Sequence, residues 1–226
     1  MSQRSKRLKK AAGLYDVEML YSIKDAVDIL KKFSAVKFDE TVELSFKLGV
    51  DARHSDQIVR GSVILPNGSG KTKIVLVFAK GDKAQEAQAA GADFVGDTEF
   101  IEKIEKGWFE FDAVVAVPEM MKDIAKLGRV LGTKGLMPNP KTGTVTVDVS
   151  TVVKELKAGK LDFRIDKAND IHLPVAKMSF DAEKIVENIE SVVAAVIKAK
   201  PAVAKGQFIR KMTLASTMSC GINLVV

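Results

Sequence analysis

The chain is poor in the residues that form disulfides and zinc sites. Among 226 residues it has one cysteine, Cys220, and two histidines, His54 and His172. A single cysteine excludes an intramolecular disulfide and is typical of a reducing cytoplasm. One cysteine and two separated histidines do not make a zinc cluster. We therefore expect neither a disulfide framework nor a metal centre.

Long apolar runs are also missing. No segment is apolar for long enough to span a bilayer, and the N-terminus is basic and polar, without the apolar core of a signal peptide. Hydrophobic residues make up 46% of the chain and charged residues 28%, which is typical of a globular protein. We expect a cytoplasmic protein with no membrane partner, made of one large or two ordinary domains.

Recognisable sets of catalytic residues are also hard to find. The sequence has no Gly-x-Ser-x-Gly nucleophile elbow. Asp39 and Glu40 are adjacent, and strand alternation would point them to opposite faces, which makes a poor acid–base pair. His172 has no obvious partner, and Cys220 is more typical of a packed small side chain than of a nucleophile. These features disfavour an enzyme, and no cofactor is predicted.

One segment imitates a nucleotide-binding loop. Residues 68–72 end in Gly-Lys-Thr, but Leu65 stands where a P-loop has its first glycine. A P-loop also opens a helix, whereas residues 73–79 are predicted to form a strand. The next turn, residues 79–83, lacks the glycine pattern of a dinucleotide site. We therefore predict a flexible linker between domains at this segment.

Positive charge is in excess but unevenly distributed. The chain carries 35 Lys+Arg and 29 Asp+Glu, a net charge of +6. Residues 68–159 contain 13 residues of each sign, so the remaining 22 basic and 16 acidic residues account for the whole excess. Residues 1–13 form a basic arm without an acid. A neutral middle and a basic outer part suggest that the outer part meets a polyanion, although such a charge can serve solubility alone.

The hydrophobic pattern predicts α+β structure on both sides of the middle segment. We predict helices over residues 22–33 and 181–198, and strands over residues 40–50, 57–65, 161–165, 171–177, 207–217 and 222–226. Ser22 and Asp181 are expected to cap the helices. The first two strands are expected to pair as a hairpin.

In the middle segment, apolar strands alternate with helices. Strands are predicted near residues 74–79, 93–95, 113–117 and 145–147, and helices near residues 83–90, 98–106, 119–127 and 149–156. This alternation predicts a small parallel or mixed sheet covered on both faces.

The order of these patterns predicts an inserted domain. We expect a fold of mixed α/β and α+β class with two domains. Domain I, residues 1–67 plus 160–226, is expected to be a split α+β domain, and domain II, residues 68–159, an inserted Rossmann-like, three-layer α/β domain. A second linker is predicted at residues 157–160. Two chain crossings at one place permit hinge motion, here at residues 66–71 and 157–161.

Residues 127–145 are the most unusual stretch of the chain, with the sequence LGRVLGTKGLMPNPKTGTV. Because it holds several glycines and two prolines, it is predicted to be a long, shaped loop rather than a helix or a strand. Its glycines would let backbone N–H groups approach an anion, and Arg129, Lys134 and Lys141 add positive charge. A phosphate-facing surface and a simple connecting loop are the two interpretations.

This stretch resembles the signature of the large-subunit ribosomal protein L1 family. The similarity continues in residues 37–43 (KFDETVE), 55–61 (SDQIVRG), 107–116 (GWFEFDAVVA) and 216–218 (STM), and so covers nearly the whole chain. The resemblance implies the same split architecture and a non-enzymatic protein of the 50S subunit. It also implies binding to the stalk region of 23S rRNA, a role in releasing deacylated E-site tRNA from the mobile stalk, repression of its own operon mRNA, and a monomer when free.

The family's RNA contacts carry over to domain I. The matching positions are Lys37, Phe38, Thr41, Glu43, Lys167, Lys211, Thr217, Met218, Ser219 and Gly221. Ser219 stands where the family commonly has glycine, and Lys211 where some members have serine. Strand alternation alone would place Phe38 and Met218 in the core instead. A second RNA contact through the three cations of residues 127–145 is a hypothesis, and a nucleotide-binding α/β enzyme that uses the glycine-rich loops is the alternative function.

Overall fold

The computed structural model describes residues 13–33, 36–54, 56–204 and 206–225, and for Lys141 only the backbone. The predicted basic arm lies outside the described residues except for Gly13. In the part of the chain that is described, no helix has the length and apolar character needed to cross a bilayer.

Strands and helices are distributed along the whole described chain. In chain order they are α1 (Ile23–Lys32), β1 (Thr41–Leu48), β2 (Arg60–Ile64), β3 (Val75–Phe78), α2 (Asp82–Ala89), β4 (Phe94–Gly96), α3 (Thr98–Glu105), β5 (Ala113–Ala116), α4 (Met121–Ile124), α5 (Gly128–Thr133), α6 (Val149–Ala158), β6 (Lys160–Arg164), β7 (Asp170–Lys177), α7 (Ala182–Lys198), β8 (Ile209–Ser216) and β9 (Ile222–Leu224). Short 3-10 turns at Pro118–Met120, Ala125–Leu127 and Pro140–Thr142 complete them. This composition confirms the predicted mixture of helices and sheets.

The chain forms two compact units. Unit 1 comprises residues 1–70 and 161–226, and unit 2 comprises residues 71–160. Unit 2 is therefore an insertion within the sequence of unit 1.

Unit 1 is built on an antiparallel sheet with the strand order β7-β1-β8-β9. Strand β1 lies in the interior of this sheet, and its alternate residues Val42, Leu44, Phe46 and Leu48 are buried. They pack in one core with apolar residues of α1 and α7. The intervening residues of β1, from Thr41 to Lys47, are exposed or half-exposed. One face of the sheet is thus covered by helices, and the other is accessible for binding.

The two helices of unit 1 begin differently. Ser22 caps α1 as predicted, because its hydroxyl accepts a hydrogen bond from the backbone N–H of Asp25. Asp181 occupies the N-cap position of α7, but its side chain makes no capping hydrogen bond and pairs with Lys184 at 3.1 Å. The prediction of a side-chain cap at Asp181 was wrong, since the carboxylate is used by the lysine one turn along.

Strand β2 does not form the predicted hairpin with β1. It pairs with β6 in a separate two-stranded sheet. The physical reason is that both edges of β1 are already taken, one by β7 and the other by β8. Alternation along a strand fixes which side chains are buried but does not choose the neighbour.

Unit 2 contains a parallel three-stranded sheet with the order β4-β3-β5. Alternate residues of β3 enter two different cores. Leu76 and Phe78 pack with α3, α4 and α5 on one face, and Val75 and Val77 pack with α2 and α6 on the other. The sheet is therefore covered on both faces, as its uninterrupted apolar strands predict.

Three local predictions in unit 2 were wrong. Part of the expected loop at 127–145 is helix α5, because Leu127 and Leu131, one turn apart, are both buried in the core and outweigh the helix-breaking glycines. The predicted strand at 145–147 is a single bridge between Val145 and Ala116. No linker is present at 157–160, since Gly159 ends α6 in the left-handed conformation at φ 110° and β6 starts at the next residue.

Candidate nucleic-acid interface

Two chain segments far apart in sequence meet at one end of β1. The backbone N–H of Thr41 donates to Thr217 Oγ1 at 3.0 Å, and the backbone N–H of Thr217 donates to the carbonyl of Thr41 at 3.1 Å. This pair extends the β1–β8 ladder by one step beyond Ser216. Strand pairing therefore brings residues 37–43 beside residues 216–219, and both segments carry predicted contacts.

A buried carboxylate lies beneath this junction. Glu40 is 6% exposed, and it accepts hydrogen bonds from the Ser216 hydroxyl at 2.9 Å and from the Met218 backbone N–H at 3.1 Å. Ser219 closes the same turn, because its hydroxyl oxygen accepts from the Ser216 N–H at 2.7 Å. The turn at 216–219 is thus held by hydrogen bonds to the buried carboxylate of Glu40 and by the side chain of Ser219 within the turn.

Two apolar side chains point outward at the junction. Phe38 is 53% exposed and Met218 is 49% exposed. The interpretation that strand parity places them in the core was wrong, since β1 begins only at Thr41 and β8 ends at Ser216. Both residues lie on connecting segments, where alternation does not apply. Two adjacent segments thus each expose one large apolar side chain.

The first segment is anchored by side chains of residues 177–179. Lys177 Nζ donates to Thr41 Oγ1 at 2.9 Å, and the Asp39 carboxylate accepts from both the backbone N–H and the hydroxyl of Ser179. Lys37, two residues before Asp39 in the chain, is exposed, and Glu43 lies exposed on the open face of β1. The junction therefore offers both positively and negatively charged groups that can form hydrogen bonds.

Two of the predicted contacts lie at the other end of β1. Lys211 pairs in register with Lys47, and Ser216 is five residue steps further along β8, or about 17 Å away. Lys47 Nζ contacts the carbonyl of Ala168 and lies 3.1 Å from Asp170, which places the exposed Lys167 at this end too. The structure thus divides the predicted residues between the two ends of the open face.

The turn that carries Lys167 is shaped by a carboxylate. The backbone N–H groups of Asp170 and Ala168 donate to Asp166 at 2.8 Å each. The bond from Asp170 holds the pKa of Asp166 below its ordinary value, partly opposed by desolvation and reinforced by the bond from Ala168. Donor atoms of Asp166, Asp170 and His172 lie within 4.8 Å of one another. In this cluster Lys47 Nζ lies 3.1 Å from Asp170 Oδ1, and Ser45 Oγ lies 2.9 Å from His172 Nδ1.

A side chain has different effects at positions 221 and 219. It would crowd Thr213 at Gly221, whereas it forms hydrogen bonds at Ser219. A Cβ at Gly221 would come within 2.8 Å of Thr213 Cγ2. The carbonyl of Gly221 accepts a hydrogen bond from the Tyr15 hydroxyl at 3.0 Å. A side chain at this position would therefore displace Thr213. The hydroxyl of Ser219 is used inside its own turn, where it donates to the carbonyl of Cys220 at 3.0 Å.

The remaining predicted cations lie in unit 2. Arg129 is exposed on α5, and Lys134 follows its end. Lys134 Nζ lies 3.8 Å from the centroid of the Phe109 ring, a cation–π geometry. The side chain of Lys141 is outside the described residues. Beside these cations, Gly132 and Gly135 have open space around their Cα atoms.

The rejected nucleotide loop has the local structure expected of a connection. Gly68 and Gly70 have positive φ, and a Cβ at Gly70 would press against Lys177 and Phe180. Strand β3 starts soon afterwards, at Val75, so no helix N-terminus follows the glycines to bind a phosphate.

Sequence analysis missed two residues that shape the junction. From sequence, Glu40 is assigned only to the start of a strand and to a weak acid–base pair, and Lys177 only to the end of a strand. Neither has a local sequence signal, because their partners Ser216, Met218 and Thr41 are more than 130 residues away. The one indication in the sequence is a charged residue that precedes a strand of alternating polar and apolar residues.

The model of the ribosomal protein L1p/L10e family matches residues 30–220. The matched range includes the segments on both sides of the junction at Thr41 and Thr217, the Lys167 turn and all of unit 2.

Proposed function

This chain belongs to the ribosomal protein L1p/L10e family, and from that premise we propose that it binds large-subunit (23S) rRNA through the junction of residues 37–43 and 216–219. The family consists of ribosomal proteins and is not a class of enzymes. The observation that carries the proposal is the pair of exposed apolar side chains, Phe38 and Met218, on two segments that are fixed by hydrogen bonds.

The chemistry of the junction suits structured RNA. Phe38 and Met218 offer an apolar platform for a ribose or an unstacked base. Thr217 and Thr41 supply hydroxyl groups for sugar or base hydrogen bonds. Glu43 repels phosphate, so it would accept from 2′-OH or base N–H donors, which distinguishes this contact from a simple basic patch.

The lysines complete the contact. Lys37 lies beside the platform, and Lys167 and Lys211 lie at the far end of the open face. Cations at both ends suit phosphate groups of an RNA that runs along β1. Base and sugar contacts near Thr217 would then be flanked by phosphate contacts.

The test is ultraviolet crosslinking of the purified chain to deproteinised large-subunit rRNA. We expect crosslinks at one structured region of the rRNA, carried by peptides that contain Phe38 or Met218. Crosslinks scattered over the rRNA, or confined to peptides of unit 2, would contradict the proposal.

Finer roles of the family are proposed on the same basis. Within the 50S subunit the chain would form the mobile stalk that takes part in release of E-site tRNA. Motion would occur at the two chain crossings, residues 66–71 and 157–161, the second of which has Gly159 between α6 and β6 in place of a linker. The free monomer would repress its own operon by binding the mRNA at a site that imitates the rRNA site. Excess protein should then reduce translation of that message in vitro, and stalk rRNA added in equal amount should restore it.

A second RNA contact is proposed in unit 2. Arg129 and Lys134 are exposed beside open glycine backbone, which suits close approach of a phosphate. Lys141 follows in the same segment. This contact would add electrostatic affinity without reading the sequence.

A further inference from the structure

Glu40 lies at the centre of the proposed RNA-binding junction without being exposed on it. It is 6% exposed, directly precedes β1, and is one residue from Thr41. A buried carboxylate is unfavourable unless hydrogen bonds compensate its charge. No ion pair involves Glu40 among the described residues. Its charge is compensated by hydrogen-bond donors instead.

Both donors belong to the turn that presents the contacts. The Ser216 hydroxyl and the Met218 N–H flank Thr217 on either side. The two oxygens of one carboxylate therefore hold the residues before and after Thr217. Thr217 itself is fixed by its two hydrogen bonds to Thr41.

The same side chain also links the two halves of the junction. Glu40 is in the chain segment that carries Phe38, and its partners are in the segment that carries Met218, 178 residues away. If the carboxylate were absent, the Met218 N–H would lose this hydrogen bond and the turn could adopt other conformations. A site that is ordered before binding does not lose that conformational freedom when the ligand arrives.

From this arrangement we infer that Glu40 is a positioning residue that holds Thr217 and Met218 in their RNA-binding geometry. The inference rests on the proposed function and adds a residue that does not touch RNA. Glu40 acts through the backbone of the turn, so its contribution is to the specific contact and not to the attraction between lysines and phosphates.

The test compares three variants by RNA binding across salt concentrations. Glu40→Ala removes both hydrogen bonds. Glu40→Gln can keep both, because the amide oxygen accepts from Met218 while the amide N–H donates to the Ser216 oxygen. Glu190→Ala, at an exposed carboxylate of α7, is the control that makes the same change in net charge.

We expect Glu40→Ala to bind a stalk rRNA fragment at least about tenfold more weakly than Glu190→Ala. Glu40→Gln should stay within about threefold of the wild type. Binding to a plain duplex, and the slope of log affinity against log salt, should match the Glu190→Ala control. If Glu40→Ala equals that control with the stalk fragment, the inference is wrong. If the wild type itself does not prefer the stalk fragment to the duplex, the proposed function is wrong instead.

Hydrogen exchange separates positioning from general stability. In Glu40→Ala, exchange of the Met218 amide should speed up by at least about tenfold, while the amide of Leu44 in the centre of the sheet keeps its rate. Uniformly faster exchange would mean that Glu40 only stabilises the fold. If Glu40→Ala does not fold, Ser216→Ala, which removes one of the two bonds, should still weaken stalk binding by about threefold or more. Wild-type binding by Ser216→Ala would then overturn the inference.

Discussion

At the scale of single residues, Thr217 shows how the junction keeps a hydroxyl hydrogen available to donate to RNA. Its Oγ1 accepts the N–H of Thr41 at 3.0 Å, while among the described residues its own hydroxyl hydrogen has only the Thr41 carbonyl, at 3.4 Å. That distance is at the weak end of hydrogen bonding. The hydroxyl is therefore oriented by its acceptor role and can give its hydrogen to a ligand.

Replacing Thr217 with valine should weaken binding to the stalk fragment by about tenfold, the effect of losing a hydrogen bond of about 1.4 kcal/mol. Thr217→Ser keeps the hydroxyl and should bind within about threefold of the wild type. Binding can be measured by fluorescence anisotropy at fixed salt. Thr98→Val, at an exposed threonine of unit 2, is the matched control. Equal affinities for Thr217→Val and Thr98→Val would contradict the assigned role.

Prediction from sequence succeeds or fails residue by residue for a physical reason. Buried residues of β1, such as Val42 and Phe46, follow from alternation because burial repeats with the pleat. Phe38 and Met218 do not, since they lie beyond the strand ends. Glu40 could not be assigned at all, because a buried carboxylate is explained only by donors that the fold brings from the far end of the chain.

At the scale of elements, helix α5 separates two glycines that look alike in sequence. A Cβ at Gly132 or at Gly135 would meet no atom within 4 Å. Gly132 is inside the helix, whereas Gly135 lies beyond its end at φ 72°. The two positions therefore differ in backbone conformation and not in available space.

Gly132→Ala should stabilise the protein by about 0.5–1 kcal/mol, because alanine favours the helix and restricts the unfolded chain. Gly135→Ala should destabilise it by about 1 kcal/mol, because an L side chain is strained at positive φ. Urea unfolding of the two variants provides the comparison. Destabilisation by Gly132→Ala would show that residues 128–133 are not helical.

A second element-scale feature is the start of β3. The Asp93 carboxylate accepts the backbone N–H of Val75 at 2.9 Å and pairs with Lys157 at 3.2 Å. The N–H of Val75 lowers the pKa of Asp93 most, partly opposed by desolvation, and Lys157 lowers it further. Asp93 thereby joins β3 to the end of α6.

Asp93→Ala should reduce the free energy of unfolding by about 1–2 kcal/mol, since it leaves the N–H of the buried Val75 without this acceptor. Asp93→Asn keeps an acceptor and should lose less free energy of unfolding, about 0.5 kcal/mol, because the ion pair is partly exposed.

A lowered folded-state pKa means that the charge of Asp93 stabilises the fold fully above the unfolded-state pKa and stops doing so as the pH falls through the folded-state pKa. Wild type and Asp93→Asn should therefore converge in urea unfolding once the pH has fallen through the folded-state pKa of Asp93, which lies below 3.8. A gap that persists there would contradict the assignment.

Elements were predicted better than their connections. Helices α1 and α7 and strand β1 follow from periodicity over long segments. The β1–β2 hairpin and the linker at 157–160 failed because they depend on which edge is free and on one left-handed glycine. Periodicity in the sequence carries neither piece of information.

At the scale of the whole molecule, the excess positive charge lies mainly in unit 1. Residues 71–160 hold 14 basic and 13 acidic residues, because Lys160 joins the 13 of each sign counted over 68–159. Unit 1 therefore carries +5 of the net +6. Any electrostatic contribution of unit 2 to RNA binding must come from a local group of cations and not from its net charge.

Replacing Arg129, Lys134 and Lys141 with alanine should flatten the salt dependence of RNA binding if they neutralise phosphates. The log–log slope should fall by about 0.9 for each phosphate left without its cation on a duplex, and by about 0.7 on a single strand. A variant with alanine at Lys106, Lys122 and Lys154, all exposed in unit 2, removes the same charge. Filter binding from low to high salt measures both slopes. Equal slopes for the two triple variants would rule out the second contact.

A specific RNA site at the junction is tested most directly by binding of a stalk rRNA fragment, against a plain duplex of equal length, over a range of salt concentrations. We predict tighter binding to the stalk fragment, by about 4 kcal/mol or more, that persists at high salt because part of it comes from base and sugar contacts at the junction. Equal affinities with the same steep salt dependence would mean that the chain presents only a basic surface, and the assignment of Phe38, Thr217 and Met218 to a specific RNA site would be wrong.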